Sequence, residues 1–231
     1  MEYLSNIELY FCKYTTADNK SFILDGEEFQ HCIKVMRNKL GDKIYSTDGF
    51  GNIFEGIINE ITKNSIFAKN IKKLTYINKL QHFTFCIPNL RNPERLKFAL
   101  EKCTELGVTN FVVFNSQHTV SKGFKEERFK KIVIAAMKQS LRAFIPKISF
   151  INSISEIVDS PGEKVLFDQL SDKNISNFKF DENNNYFMLF GPEGGFSQKE
   201  IEIISPKLSF NLIGNRLRSE TAIIKVASII S

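Results

Sequence analysis

Two stretches near the C-terminal end run from an apolar segment into glycine and then into a helix signal. The first reads Leu189-Phe190-Gly191-Pro192-Glu193-Gly194-Gly195-Phe196-Ser197-Gln198-Lys199-Glu200. Glycine lets the main chain turn tightly and approach a ligand closely, and the free amides ahead of a helix can hold polar atoms. Ser197 and Glu200 have the spacing of a capping box. The plain alternative is an ordinary strand-to-helix turn. A phosphate loop fits poorly, because the Gly-x4-Gly-Lys-Ser/Thr spacing is absent. The second stretch reads Leu212-Ile213-Gly214-Asn215-Arg216-Leu217-Arg218-Ser219-Glu220-Thr221-Ala222, again a strand ending in glycine, with Ser219 as the expected helix cap. Two such loops at the carboxyl ends of two strands would form a crevice flanked by Arg216, Arg218 and Glu220. Charged groups there are candidates for chemistry, with a salt-bridged surface loop as the other reading.

The elements that must position these loops follow from the pattern around them. From about Thr75 onward strand and helix signals alternate. Residues 82–87, 111–114, 165–167, 186–190 and 208–213 read as strands. A helix opens at Pro93-Glu94-Arg95, buries Leu96, Leu100, Cys103 and Leu106, and closes at Gly107. A basic helix buries Phe129, Ile132, Val133 and Ala136 and stops before Pro146, and further helices lie near 198–204 and 220–230. This alternation predicts a mainly parallel sheet covered on both faces, with ligand sites at the carboxyl ends of its strands. Before Leu74 the pattern is instead short and β-like, with strands near 21–24, 43–46, 52–58 and 65–68. Asp48-Gly49-Phe50-Gly51-Asn52 is a hairpin turn, and one helix capped by Asp25 runs through Phe29, Cys32, Ile33 and Met36. Many short strands with one helix suggest a small β-barrel.

The 231 residues suit a small domain joined to a medium one. No apolar run approaches the roughly 20 residues of a membrane span, and Met1-Glu2-Tyr3-Leu4-Ser5 lacks a signal-peptide layout, so the expectation is a cytoplasmic protein with no membrane partner. The four cysteines (Cys12, Cys32, Cys86, Cys103) form no CxxC pair and read as reduced residues, with no metal site. Net charge is +5, and its distribution is uneven: residues 1–75 carry 10 basic and 10 acidic groups, 76–150 carry 13 and 5, and 151–231 carry 8 and 11. Lys122, Lys125, Arg128, Lys130, Lys131, Lys138 and Arg142 concentrate the excess, opposed by Glu126 and Glu127. Such a field suits a phosphate backbone, and a solvated helix face is the bland alternative.

Motifs spread along the chain make a specific resemblance. GPEGGFS over 191–197 and LRSETA over 217–222 resemble the SPOUT class of methyltransferases, and within it the RsmE family of 16S ribosomal RNA (uracil-N3)-methyltransferases. Lys102-Cys103-Thr104-Glu105-Leu106-Gly107-Val108 is similar to that family's K-x-T/A-E-L-G-V helix end. Gln139-Ser140-Leu141-Arg142 with Pro146 resembles its Q-S-x-R…P segment, and His31 to Arg37 with Gly41-Asp42 its H-x-x-x-V-L-R…G-D pattern. The resemblance implies a PUA-like RNA-binding β-barrel over 1–74, then an α/β SPOUT domain over 75–231 containing a trefoil knot. Threaded chains are rare, so the knot is implied by the resemblance alone. A homodimer is implied as well. Two departures stand out: the Gly214–Arg218 segment is one residue shorter than the family's G-x-R-I-L-R, and Lys138 replaces a usually acidic residue, which removes any charge partner that residue supplied.

The same resemblance implies S-adenosylmethionine held by Gly191, Pro192, Glu193, Gly194, Gly195, Ile213, Gly214 and Leu217. Leu189 and Leu217 would lie beside the adenine, core packing being the other reading of Leu189. A sulfonium is its own electrophile, so no metal is needed. Uracil N3 bears a proton and is a poor nucleophile while neutral. Arg218 would place positive charge beside a uracil carbonyl oxygen as negative charge develops, and Glu220 would either accept the proton or hold the arginine, the second being favoured. His31, Arg37, Gln139, Arg142 and the basic helix are the RNA-binding candidates, although a histidine on a short helix often satisfies a local hydrogen bond instead. His82 and His118 have no evident partner, so no catalytic histidine is expected. N3 is buried in a Watson–Crick pair, so the target must be unpaired or extruded. The implied substrate is a uridine of 16S rRNA in the assembled small ribosomal subunit. Rival readings are a ribose or transfer-RNA methyltransferase of the same class, and a non-catalytic RNA-binding factor.

Overall fold

Runs of β-branched and aromatic residues broken by glycine and asparagine turns build the N-terminal half. The computed structural model describes residues 4–12, 14, 15, 20–118, 123 and 125–231; Met1, Glu2, Tyr3 and Lys122, used in the readings above, lie outside them. Strands β1 (Leu9–Phe11), β2 (Tyr14–Thr15), β3 (Ser21–Asp25), β4 (Lys43–Thr47), β5 (Asn52–Ile61) and β6 (Ser65–Thr75) form one sheet in the order β1-β4-β5-β6-β3-β2. All pairs are antiparallel except β1 with β4. β5 carries two register shifts, which add twist and help the sheet wrap as a half-barrel. The sequence pattern yields β3 to β6; β1 and β2 are too short to display an alternation.

The helix expected after Asp25 is split. Asp25 holds the extended N-cap backbone, but its side chain makes no capping bond. Helix α1 (Gly26–Gln30) passes into a π-helical turn over His31–Val35, a departure that an α-period pattern cannot display. Cys32 is buried there, and Asn38 Nδ2 donates to the Tyr10 hydroxyl at 3.1 Å.

The chain forms two compact units, one of Met1–Asn78 with Met137–Ile145, the other of Lys79–Ala136 with Pro146–Ser231. In the first unit the returning segment is tied in by hydrogen bonds. Gly51 N donates to Ala143 O at 2.9 Å, Ile145 N to Gly49 O at 2.9 Å, and Thr47 Oγ1 to Ala143 O at 3.2 Å. Ala143 is buried with Leu9 and Ile53. Gln139 and Arg142 thus belong to the same unit as His31 and Arg37, whereas a division near residue 75 had set them apart.

The second unit contains β7 (Phe83–Pro88), α2 (Pro93–Glu105), β8 (Asn110–Phe114), α3 (Glu126–Gln139, whose last turn counts with the first unit), β9 (Lys147–Ile151), α4 (Ser155–Val158), β10 (Glu163–Phe167), a 3-10 turn (Ile175–Asn177), β11 (Tyr186–Phe190), α5 (Gln198–Ile204), β12 (Leu208–Phe210) and α6 (Ser219–Ile230). Its sheet order is β12-β10-β11-β7-β8-β9, and every pair is parallel. Alternation along the strands divides the core. Phe85, Ile87, Val113, Val165, Met188 and Phe190 face α2, α3 and α6 through residues such as Leu96, Leu100, Val133, Ile223 and Val226. Cys86, Phe114, Leu166 and Leu189 face α4 and α5 through Ile157 and Ile204. Each fully buried leucine or isoleucine contributes roughly 1.5–3 kcal/mol, so both layers hold the strands that carry the loops. All four cysteines are buried, and burial pushes their thiols upward, Cys12 to about 11, which leaves them in the protonated form.

β12 is shorter than its apolar run. It stops at Phe210; Asn211 then pairs with Asn174 in an isolated bridge and its Nδ2 donates to Ser171 O. Leu212 and Ile213 are released from the sheet as a result.

Candidate functional site

Three loops leave the carboxyl ends of β10, β11 and β12, three neighbouring strands, and together line a cavity of about 670 Å³. That volume lies in the range of small-molecule sites. From the β11 loop come Gly191, Pro192, Glu193, Gly194, Gly195 and Phe196; from the β12 loop come Leu212, Ile213, Asn215, Arg216, Leu217 and Arg218; from the β10 loop come Asp168, Gln169 and Leu170. Seven residues expected at the cofactor therefore stand on the wall. Gly214 lies between Ile213 and Asn215, both of which line it, without lining it itself. Leu189 is absent from the wall: it is fully buried beside Leu166 and Ile204, one residue short of the strand end, where Phe190 lines the cavity.

Local geometry fixes the β11 loop. Gly195 has φ +73°, which a side chain would adopt only with strain, and its amide donates to Pro192 O at 2.9 Å. The expected capping box is present: Glu200 N donates to Ser197 Oγ at 3.2 Å and Ser197 N to Glu200 Oε2 at 2.8 Å. The other oxygen, Oε1, accepts from Ser116 Oγ at 2.8 Å and Gln117 N at 2.9 Å, which ties the segment after β8 to this helix start. Burial alone would raise the Glu200 carboxyl, but the amides of Ser197 and Gln117 and the hydroxyls of Ser116 and Ser197 outweigh it and hold the group below its ordinary range. His118 Nδ1 lies 3.2 Å from Gly195 O, a partner that its sequence position gave no sign of.

The two glycine-bearing loops are joined directly. Ser219 Oγ donates to Gly191 O at 2.7 Å, and Arg216 Nη2 to Glu193 O at 3.1 Å. Ser219 is therefore not the helix cap: Arg218 occupies that position in extended conformation, with no side-chain cap bond, and the serine hydroxyl is spent on the neighbouring loop. Glu220 holds an arginine, but the partner is Arg95, not Arg218. Arg95 Nε is 3.5 Å from Glu220 Oε1, and its Nη1 is 3.8 Å from Glu193 Oε1. Glu220 is buried, and its Oε2 has no hydrogen-bond partner among the described residues. Arg218 lines the cavity and is exposed, and it forms no ion pair among the described residues.

The RNA methyltransferase domain family matches residues 78–231, and the RNA methyltransferase PUA domain family matches 24–69. Ribosomal RNA small subunit methyltransferase E 2 of Borreliella burgdorferi is 30% identical over 229 residues, which cover 90% of this chain and 89% of that protein. This chain belongs to the ribosomal RNA small subunit methyltransferase E family. A probable rRNA-methyltransferase from Porphyromonas gingivalis has the same fold, with a TM-score of 0.81 at 28% identity over 97% of each chain. So does a family member from Neisseria gonorrhoeae crystallised bound to S-adenosyl methionine, with a TM-score of 0.81 at 20% identity over 96% of each chain. The architecture expected from the sequence, a PUA-like β unit before a SPOUT-type α/β unit, is the one found. The chain is an RNA methyltransferase.

In this family member the RNA-binding candidates His31, Arg37, Gln139 and Arg142 fall in the unit with the PUA-like sheet, and most of the basic helix falls in the other. His31 Nε2 is 3.2 Å from Glu8 Oε1 and its ring meets Tyr10 edge-on, so the local-partner reading of this histidine has support. Arg37, Gln139 and Arg142 are exposed. Lys138 Nζ donates to Glu28 Oε1 at 2.6 Å. The basic helix is less cationic than its composition, since Arg128 pairs with Glu94, and Lys130 with Glu126 and Glu127. Sequence reasoning missed Arg95 and the β10 loop on the cavity wall. The rule that ligands gather at strand carboxyl ends points to Asp168, which follows Val165-Leu166-Phe167 directly. No local signal reveals Arg95, whose partners are distant in sequence.

Proposed function

We propose that this RNA methyltransferase binds S-adenosylmethionine in the cavity between its glycine-bearing loops and methylates N3 of a specific uridine in 16S rRNA. The substrate is the assembled small ribosomal subunit in the cytoplasm. The working form is a homodimer whose C-terminal unit carries a trefoil knot. The observation that carries this reading is the junction of the two loops at one cavity, made by Ser219 with Gly191 and Arg216 with Glu193.

The donor set suits the cofactor. Phe190, Leu212, Ile213 and Leu217 offer apolar wall to an adenine, Asp168 and Glu193 offer carboxylates to hydroxyl or cationic groups, and a Cβ built at Gly195 or Gly214 would meet nothing within 4 Å. When bound, S-adenosylmethionine supplies an electrophilic methyl on a sulfonium. The chain's residues do the rest. The loop amides orient, and the apolar wall excludes water. Arg218 places its guanidinium where a uracil carbonyl gains negative charge as N3 loses its proton. Glu220, engaged by Arg95, holds that arginine and the start of α6 in place. His31, Arg37, Gln139 and Arg142 meet the RNA, which must present its uridine unpaired.

The test is nucleoside mass spectrometry of small-subunit RNA from a deletion strain, before and after incubation of its subunits with the purified protein and S-adenosylmethionine. One missing N3-methyluridine that reappears on incubation is expected. Methylation of a ribose instead, or of transfer RNA, would sink the assignment.

A further inference from the structure

The turn from Asp48 to Asn52 joins β4 to β5 and holds Phe50 out to solvent with 80% of its surface exposed. The backbone beneath the ring is fixed on every side. Asp48 Oδ1 accepts from Phe50 N at 2.8 Å and Asn52 N at 3.2 Å, and Gly49 N donates to Thr47 Oγ1 at 3.0 Å. Gly51 N donates to Ala143 O and Tyr76 N to Gly51 O, and Phe50 itself bridges Phe144. Both flanking glycines have positive φ, and there is no room to replace them: a Cβ at Gly51 would come within 2.6 Å of the Phe144 ring, and one at Gly49 within 3.0 Å of Ile145 and Phe11. Two left-handed glycines and a carboxylate are spent on rigidly displaying one apolar ring.

The surroundings are polar and cationic. Thr75 Oγ1 donates to Asn52 Oδ1 at the base of the turn. Lys72 and Lys73 are exposed on the end of β6 that pairs with the start of β5, and Arg142 is exposed on the segment stitched to the turn. A stable protein interface buries on the order of 1,000 Å² in total around a core depleted of charge, which the lysines beside this turn do not favour. Ile71 and Ile77 are exposed as well, but Phe50 is the aromatic ring on the turn, and a flat ring with cations nearby suits a nucleic-acid base, whose face stacks while its phosphates meet the cations.

We propose that Phe50 is a base-stacking residue that receives an unpaired base of the RNA substrate, with Arg142, Lys72 and Lys73 meeting the adjoining phosphates. This rests on the proposed RNA substrate. It adds a contact on the β4–β5 turn, apart from His31, Arg37 and Gln139. Preorganisation of the turn lowers the ordering cost of that contact.

The test titrates a fluorescein-labelled single-stranded oligouridine RNA and isolated small ribosomal subunits with the full-length protein and its F50A, F50Y and R142Q variants over a range of salt. F50A is expected to bind both about tenfold more weakly, equivalent to about 1.4 kcal/mol, with an unchanged salt slope, because stacking releases no counterions. F50Y should bind like the parent, and R142Q should flatten the slope. F50A binding as tightly as the parent would overturn the proposal. So would weakening on subunits alone, which would assign the ring to a ribosomal protein. A parent protein that binds neither probe would instead sink the RNA reading beneath it.

Discussion

The hydroxyl of Ser219 donates to the main-chain oxygen of Gly191 at 2.7 Å, linking residues 28 positions apart. One bond thus closes the first turn of α6 onto the loop after β11, and the two walls of the cavity are set against each other. A net intramolecular hydrogen bond contributes about 1 kcal/mol, so S219A should weaken S-adenosylmethionine binding roughly fivefold in calorimetry. Since the hydroxyl is not a helix cap, the helix itself should persist by circular dichroism. Parent-like affinity in S219A would show that the two loops hold their spacing without it.

Arg218 lines the cavity, is exposed and forms no ion pair among the described residues, so its charge is available to a substrate. R218A should lower kcat by about 100- to 1,000-fold, the usual effect of deleting a group that stabilises developing negative charge. The affinity for S-adenosylmethionine should stay within roughly twofold, because the expected contact is with the base rather than with the cofactor. Parent turnover in R218A would remove this residue from the chemistry.

How much was legible beforehand follows the range of each interaction. The capping box of Ser197 and Glu200 was readable because its partners lie three residues apart, and the glycine loops because strand, glycine and helix signals are consecutive. The identity of the wall was partly readable, since the strand end is legible but not which of its last residues reaches the cavity, which both sides of the sheet line. The partner of Glu220 was not readable. Arg218 is its near neighbour in sequence, yet the chain brings Arg95 from the first turn of α2 to within 3.5 Å. Lys138 shows the same limit: its partner Glu28 is 110 residues away. The π-helical turn at His31–Val35 escaped because hydrophobic spacing barely distinguishes it from an α-helix.

Glu200 should make stability depend on acid in a definite sense. Its folded carboxyl titrates below the ordinary 4.5, as its four hydrogen bonds outweigh burial. Its stabilisation is therefore complete above about pH 4.5 and is lost as pH falls through the lower folded value. E200Q should cost about 1–3 kcal/mol in urea melts at pH 7, since an amide cannot accept from all four donors. That gap should narrow below pH 4.5. A gap that stays constant down to acid unfolding would mean that the carboxylate charge is not what stabilises the site.

Arg95 stands between two carboxylates, Glu220 at 3.5 Å and Glu193 at 3.8 Å, and both distances exceed a tight hydrogen bond. Glu220 is the buried one, so R95A would leave its carboxylate without a counter-charge. R95A should cost about 1–3 kcal/mol of stability, and R95A with E220Q should recover most of it, because the stranded charge is then gone. Additive losses in the double variant would refute the pairing.

The pair between Lys138 and Glu28 makes a graded prediction about the PUA-like unit. Nζ and Oε1 are 2.6 Å apart, both side chains are about four-fifths buried, and Glu28 Oε2 has no hydrogen-bond partner among the described residues. Glu28 therefore depends on Lys138 for its compensation. K138A should lose about 1–3 kcal/mol by leaving that largely buried carboxylate unmatched. K138E restores the acidic residue of the RsmE pattern but sets it against Glu28, and like charges in one site should make it lose more than K138A. E28Q with K138Q, which removes both charges and keeps hydrogen-bonding capacity, should be more stable than either single change. Urea melts of the four proteins should then rank parent first, the double variant second, K138A third and K138E last. If K138E melted with the parent, the acid at position 28 would have to be finding its partner elsewhere, and the change of sign at 138 would carry no structural consequence.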